Sequence, residues 1–366
     1  MMQRVINAPA RYVQGAGAIL ELEQHYREMG KSKGIFILAD RFAAQNFSAD
    51  IAVSFEVANT PYRIQILLEP CSMAAVRRFL PQTQGFDMIM AVGGGTVIDT
   101  AKLLGKEADL PVMVVPTSAA MDGACSGVAV CYTEEGAYES YIKLPKNPDL
   151  VVVDTRIIAK APPRLLVAGI GDALSTYFEA AACAKSGTLT PSGGLQSRAG
   201  AAMAHLCLDT ILHQGVAAKA ACEIKTVTDA LENVIEANVY LSCFGFENGG
   251  LAFAHALQNG LNTITAIDSK SMHGEKVAFC TLVQLALEAN RADGSLELLQ
   301  QVGKFCKEIG LPTNLEELGY EDITDEQLKE AAAFCLQEGQ GGKNMPFEIT
   351  VQNIVSAVCT VDLMFS

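Results

Sequence analysis

Residues 86–102, FDMIMAVGGGTVIDTAK, decide how the chain folds. Met88, Ile89, Met90, Ala91 and Val92 form a short apolar run that stops at Gly93, Gly94 and Gly95. A run that short, ended by glycine and followed at once by a helix-like segment, reads as a strand buried on both faces of a parallel sheet. The glycines remove side chains where the backbone turns sharply or lets a ligand approach. The helix start beyond them offers unpaired N–H groups and a positive dipole end, the usual seat of a phosphate. A nucleotide or another phosphorylated ligand is therefore expected at this turn, although a plain strand-to-helix turn has the same signature.

Outward from this stretch, the first 160 residues alternate between two patterns. Residues 34–39 (GIFILA), 63–68 (RIQILL), 112–115 (VMVV) and 150–153 (LVVV) are further buried strands, and 17–29 and 73–80 supply crossover helices. Strands alternating with helices imply a parallel sheet covered on both faces. Residues 127–144 break the pattern: two strand-like runs flank Glu134, Glu135 and Gly136, the mark of a β-hairpin lying on the sheet. Past Ala161, Pro162 and Pro163 the strand signals fade. Helical periodicity takes over in 174–184, 197–213, 222–240, 251–259 and 275–290. The expected organisation is an α/β domain over 1–163 and an all-α domain over 164–366, with no internal repeat.

Composition narrows the function. The chain has 366 residues, 50% of them hydrophobic and 19% charged, enough for two packed domains. A net charge of −14 argues against a nucleic-acid partner. Eleven cysteines without a CxxC pair read as reduced, buried thiols of a cytoplasmic protein. Neither a signal peptide nor a membrane-spanning run is evident.

Several residues could carry chemistry. Asp40 ends the strand 34–39, where a carboxylate can accept from ribose hydroxyls and repel a 2′-phosphate; a helix N-cap is the alternative. It precedes the glycine turn by more than 50 residues, whereas the usual dinucleotide fingerprint places the acid about 20 residues after it. Any dinucleotide site here has a non-standard order. Thr96 and Asp99 match a capping box. Residues 116–132, PTSAAMDGACSGVAVCY, follow a strand with small residues that leave room for a ligand; Asp122, Ser126 and Tyr132 are their polar features. In the second half, Gly169, Ile170, Gly171 and Asp172 open a helix with a carboxylate in its first turn. His255 lies among alanines and leucines, and His273 lies at a glycine-marked helix start. Their separations, 83 and 18 residues, match no local metal motif. His25, His205 and His213 read as structural or exposed.

Taken together, AVGGGTVIDTAK, VVPTSAAMDGACSGVAVCYTEEG, AGIGDALSTYFEA, ANVYLSCFGFENGGLAFAHALQNG and MHGEKVAF resemble the glycerol dehydrogenases of the iron-containing (group III) alcohol dehydrogenase superfamily. The resemblance runs in order from APARYVQGAGAI to NMPFEIT. It implies the iron-type alcohol dehydrogenase, dehydroquinate synthase-like architecture and a homo-oligomer, an octamer by analogy. It also implies NAD-dependent oxidation of glycerol to dihydroxyacetone, by metal-assisted alkoxide formation and hydride transfer to nicotinamide C4. The implied metal ligands are Asp172, His255 and His273, holding zinc or, as in relatives, iron. The implied cofactor contacts are Asp40, Gly93, Gly94, Gly95, Asp99, Thr117, Ser118, Ser126, Val128 and Tyr132, and Asp122 falls near the substrate. One carboxylate and two imidazoles suit a borderline divalent cation.

The chain departs from the family pattern at Ala120 and Met121, at Gly123 and Ala124, at Gln258, where many relatives carry histidine, and at 269–272. These changes bear on substrate preference. The alternatives are another small diol such as 1,2-propanediol, a hydroxyketone, glycerol 1-phosphate, or a non-catalytic protein that keeps the fold.

Overall fold

The computed structural model describes residues 3–134, 136–267, 269–291 and 294–366. Eight strands are formed among them: β1 Tyr12–Gly15, β2 Ile35–Ala39, β3 Tyr62–Ile66, β4 Met88–Gly93, β5 Val112–Pro116, β6 Val128–Tyr132, β7 Tyr138–Lys143 and β8 Leu150–Asp154. Six make one sheet in the order β1-β8-β5-β4-β2-β3. Every pairing in it is parallel, with Ile35 opposite Met88, Ile89 opposite Val112 and Tyr12 opposite Val151.

The four inner strands are buried throughout, which is why they read as unbroken apolar runs. Their residues alternate between two cores. Ile35, Ile37, Met88, Met90, Val115 and Val152 face Leu22, Tyr26, Ile51 and Phe55. Phe36, Leu38, Ile89, Ala91, Val114 and Val151 face Phe79, Val97, Ile98 and Leu104, in a core that continues into the helical half. The outer strands β1 and β3 are only partly buried.

The expected hairpin forms, as β6 and β7, but as a separate antiparallel sheet rather than as part of the parallel one. Glu135 in its turn lies outside the described residues. Lys102 on the helix Gly95–Ala108 reaches it: the ammonium donates to the Val128 carbonyl at 2.9 Å, to Ser126 Oγ at 3.2 Å and to the Gly123 carbonyl. Asp99, one turn earlier, accepts from Val130 N at 3.0 Å.

After β8 the described residues contain helices and no further strand. The helix Pro163–Ser186 begins where the patterning changes, with proline at its first position, where the missing N–H costs nothing. The region 222–240 is not one helix. A helix ends at Glu223, Lys225 takes a left-handed φ of 54°, and a new helix spans Asp229–Glu236, continuing into a π-helical turn at Ala237–Leu241. No helix among the described residues is long and apolar enough to cross a membrane.

Candidate active site

Two constellations stand at the carboxyl side of the sheet and beside it. The first is made of backbone. β2 and β4 are neighbours, and the chain leaves β2 for β3 on one side and reaches β4 on the other. Ligands of open α/β sheets bind outside the strand ends at such a switch point. Asp40 follows β2, and the glycine turn follows β4. Asp40 Oδ1 accepts from Ala43 N at 2.7 Å, so the residue caps the helix Arg41–Val57; its Oδ2 accepts from Gly94 N at 3.1 Å. Both halves of the expectation meet here, since the N-cap also ties down the turn. Gly93 has φ 153°, and a Cβ on it would strike Asp40 Oδ2. A Cβ on Gly94 would instead enter open space. The helix Gly95–Ala108 starts immediately, capped by Gly94 with no side chain. A backbone turn of this shape, leading straight into a helix, is able to cradle a phosphate. Thr117 and Ser118 follow β5 beside it, and Thr117 N donates to the Gly93 carbonyl at 3.2 Å.

The capping-box reading of Thr96 and Asp99 is corrected. The helix starts one residue before Thr96, which places Asp99 inside it, buried against Lys102 and Val130. Ser126 and Val128 turn toward Lys102, and Tyr132 is half-buried on β6. The structure thus gathers Asp40, the three glycines, Thr117 and Ser118 at adjacent strand ends. Asp99, Ser126 and Val128 form the tie that brings β6 to the same helix.

The second constellation is made of side chains. Asp172 lies well inside the helix Pro163–Ser186, not in its first turn as the glycines around it suggested. Those glycines serve packing. A Cβ on Gly171 would collide with the Gly274 carbonyl, and a Cβ on Gly274 with the Ala168 carbonyl. The close approach lets the helix His273–Ala289 begin against the middle of the Asp172 helix. His255 comes from a third helix, Phe253–Asn262.

Asp172 Oδ1 lies 3.3 Å from His255 Nε2 and 3.3 Å from His273 Nε2. It is buried, yet no hydrogen bond of normal geometry reaches it among the described residues. The three donor atoms lie within 4.8 Å of one another. Ligand atoms arranged tetrahedrally at about 2.0–2.1 Å from a cation stand about 3.3 Å apart. The unpaired oxygen, the spacing and the O,N,N donor set all fit a divalent cation. Side-chain exposure rises from 3% at Asp172 to 21% at His255 and 40% at His273, so the site opens on the His273 side.

A further layer fixes these ligands, and the sequence reading had not named it. Glu179, wholly buried, accepts from His255 Nδ1 at 2.6 Å, which turns Nε2 toward Asp172. Its other oxygen accepts from the N–H groups of Ala252 and His255, both at 3.0 Å, and so caps a helix that has no side-chain cap of its own. Glu179 follows Asp172 by seven residues, two helical turns, and that spacing was the available signal. Arg164 grips Glu275 with two bonds, at 2.6 and 2.8 Å, and Glu275 accepts from Met272 N at 2.7 Å, which pins the start of the His273 helix.

Charge follows geometry. Burial alone would raise the Asp172 carboxyl, but His273 and His255 outweigh it and hold it below the ordinary carboxylate range. Burial opposes a charged His255, yet Glu179 and Asp172 raise its proton affinity well above the usual imidazole value. Asp122 reaches this centre from the loop after β5. Burial, and then the charge of Asp172, raise its carboxyl above the ordinary value. Its Oδ2 accepts from Ser242 Oγ at 2.8 Å, which in turn lies 3.0 Å from Thr176 Oγ1. Cavities of about 310 and 520 Å³ open elsewhere and are lined by none of the three clustered residues. Converging donor atoms mark this site better than empty volume does.

The chain is similar to known proteins over nearly its whole length. The family pattern described as iron-containing alcohol dehydrogenase matches residues 13–162. Glycerol dehydrogenase from Citrobacter freundii is 40% identical over 365 residues, covering 99% of this chain and 98% of the relative. Glycerol dehydrogenase from Thermotoga maritima is 41% identical over 357 residues, covering 97% and 95%. The crystal structure of glycerol dehydrogenase from Schizosaccharomyces pombe superposes with a TM-score of 0.92 at 34% identity, covering 99% of this chain and 91% of that one. With both cradle and donor cluster in place, the chain belongs to the glycerol dehydrogenases of the iron-containing alcohol dehydrogenase family and is an alcohol oxidoreductase.

Proposed function

We propose that the protein oxidises glycerol to dihydroxyacetone with NAD and one divalent cation, zinc or iron. The observation that carries this is Asp172 Oδ1, buried and unpaired between two imidazole nitrogens at 3.3 Å. A buried carboxylate oxygen left without a partner is costly, and a cation removes that cost.

Asp172, His255 and His273, in the segment 164–366, would hold the cation. Asp40, Gly93, Gly94, Gly95, Thr117 and Ser118, with Ser126, Val128 and Tyr132 on the loop and β6, would hold NAD in the segment 1–163. Asp99 would act there by keeping β6 in place. When bound, the cation lowers the pKa of a substrate hydroxyl and NAD takes up a hydride. Glu179 keeps the His255 proton on Nδ1 and the Nε2 lone pair free. The Gly94 cradle receives the pyrophosphate against the helix start. Asp122 Oδ2 is engaged by Ser242, which leaves Oδ1 to accept from a substrate hydroxyl and orient it. The loop of small residues between β5 and β6 packs against elements of both segments.

The test is NADH formation from glycerol by the purified enzyme, abolished by EDTA and restored by zinc or ferrous ion. A metal-loaded enzyme that forms no NADH from glycerol or any three- or four-carbon diol overturns the reading.

A further inference from the structure

Lys102 stands seven residues, two helical turns, after Gly95 on the helix Gly95–Ala108, and its side chain is 1% exposed. Neighbouring buried positions of this helix carry Val97, Ile98, Ala101, Leu103 and Leu104, so an apolar residue at 102 would pack without electrostatic cost. A buried ammonium is costly unless its hydrogens are taken up. Those of Lys102 face four oxygens. One belongs to Asp99, on the same helix, at 3.4 Å. The other three belong to the loop between β5 and β6 and to the first residue of β6: the Gly123 carbonyl, Ser126 Oγ at 3.2 Å and the Val128 carbonyl at 2.9 Å.

The Gly123 carbonyl sits in the middle of the 3-10 turn Asp122–Ala124. Cys125 N closes this turn by donating to the Asp122 carbonyl at 3.1 Å, and Ser126 Oγ donates to the Gly123 carbonyl at 3.2 Å. Lys102 thus fixes the backbone beneath Asp122, while Ser242 Oγ, at 2.8 Å, fixes its carboxylate. The two grips come from opposite halves of the chain.

We propose that Lys102 is a positioning residue for Asp122: from the helix that starts at the glycine turn, its ammonium holds the turn Asp122–Ala124 and so keeps the Asp122 carboxylate in register with the donor cluster. This rests on the polyol reading above, in which Asp122 orients a substrate hydroxyl, and deepens it. Without the ammonium, Ser242 alone ties Asp122 down, and the turn beneath it is free to shift. A misplacement of about 1 Å at an orienting group costs on the order of 100-fold in rate.

The experiment is a double-mutant cycle on the metal-loaded enzyme at saturating NAD. It measures kcat/KM for glycerol in wild type, Lys102→Met, Asp122→Asn and the double variant, with metal content and unfolding midpoint for each. Lys102→Met keeps a long stem and removes the ammonium. It is expected to lower kcat/KM by about 10–100-fold with metal content unchanged. Because Lys102 acts through Asp122, the double variant should lie within about threefold of Asp122→Asn alone. A lysine that only stabilises the fold gives losses that multiply, and that result overturns the assignment. Wild-type kcat/KM in a folded Lys102 variant overturns it too. Should the methionine variant fail to fold, Lys102→Arg enters the same cycle. Its larger, planar head cannot meet the same four oxygens, and the same outcomes decide it. Asp122→Asn at wild-type kcat/KM overturns the proposal together with the role given to Asp122. Wild-type enzyme that forms no NADH from glycerol overturns the polyol reading instead, so the failures are distinguishable.

Discussion

The two halves of the site are built from different materials. The cradle after β4 is backbone: three glycines, a helix start and one carboxylate, Asp40, that ties the turn to the neighbouring strand end. The donor cluster is side chain: Asp172, His255 and His273 project from three helices, and glycines let the helices of Asp172 and His273 touch. A backbone site is set by chain geometry, and it suffers most when a side chain is added. A side-chain site is set by its supports, here Glu179 and the Arg164–Glu275 pair, and it suffers when one is removed. The same fold thus contains two sites with opposite sensitivities.

The strongest way to break the comparison is to delete a ligand. His255→Ala is expected to abolish stoichiometric metal binding and reduce glycerol oxidation to background. The NADH dissociation constant should stay within about twofold of wild type, as for independent sites. Metal analysis and NADH fluorescence titration measure both. Joint loss of metal and NADH binding in a folded variant would show that the halves are one site.

Next in size is the removal of a support. Glu179→Gln keeps the shape and an acceptor for the Ala252 and His255 N–H groups but loses the charge facing His255 Nδ1. Metal affinity, measured by competition with a chelator, is expected to fall by about 10–100-fold. An unchanged affinity would mean that Glu179 serves only as a helix cap.

The two halves were also unequally legible. The inner strands β2, β4, β5 and β8 announce themselves because both faces are buried, leaving no polar residue to interrupt the run. β1 escaped: YVQG is four residues long and half-buried at a sheet edge, so its pairing with β8 specifies it and its composition does not. The hairpin could be seen, but not its detachment from the sheet, which depends on Lys102 and Asp99 holding it from a helix. Asp172 was placed at a helix start because paired glycines resemble a break; their purpose, contact with the helix that starts at His273, is non-local. No spacing rule links residues 83 and 18 positions apart, so in the sequence only the family resemblance points to the triad, and its 3.3 Å distances exist only in the fold.

A third test adds a methyl group to the backbone site. Gly94 has φ −87°, open to any residue, and its Cβ would enter the empty cradle. Gly94→Ala should weaken NADH binding by about tenfold or more, the effect of 1.4 kcal/mol. Stability should fall by no more than about 1 kcal/mol, the usual scale of an N-cap change. Metal content should stay at the wild-type level. Gly93→Ala, one residue earlier, should behave differently. With φ 153° and Asp40 in the way, it strains the fold itself, by about 1–3 kcal/mol in a denaturant titration. Equal effects of the two alanines on stability would deny that the turn is a preformed cradle.

The smallest expected effect lies at the far end of the same strand. Asp87 precedes β4 and accepts from Tyr26 Oη at 2.6 Å, Ser32 N at 2.9 Å and Lys33 N at 3.0 Å. Burial alone would raise its carboxyl, but these donors, Ser32 N foremost, hold it below the ordinary value. Burial, and then the hydrogen bond to Asp87, push the Tyr26 hydroxyl up to about 12. Because the folded-state pKa of Asp87 is depressed, its stabilisation is present above the unfolded value of about 3.9 and is lost as pH falls through the folded one. Asp87→Asn should therefore cost about 1 kcal/mol near neutral pH, and the gap from wild type should close below about pH 4. Metal content and NADH affinity should not change, since β4 is pinned along its length by parallel pairing with β2 and β5. A loss of NADH affinity in this variant would show that the cradle depends on tension carried along the strand rather than on the local bond between Asp40 and Gly94.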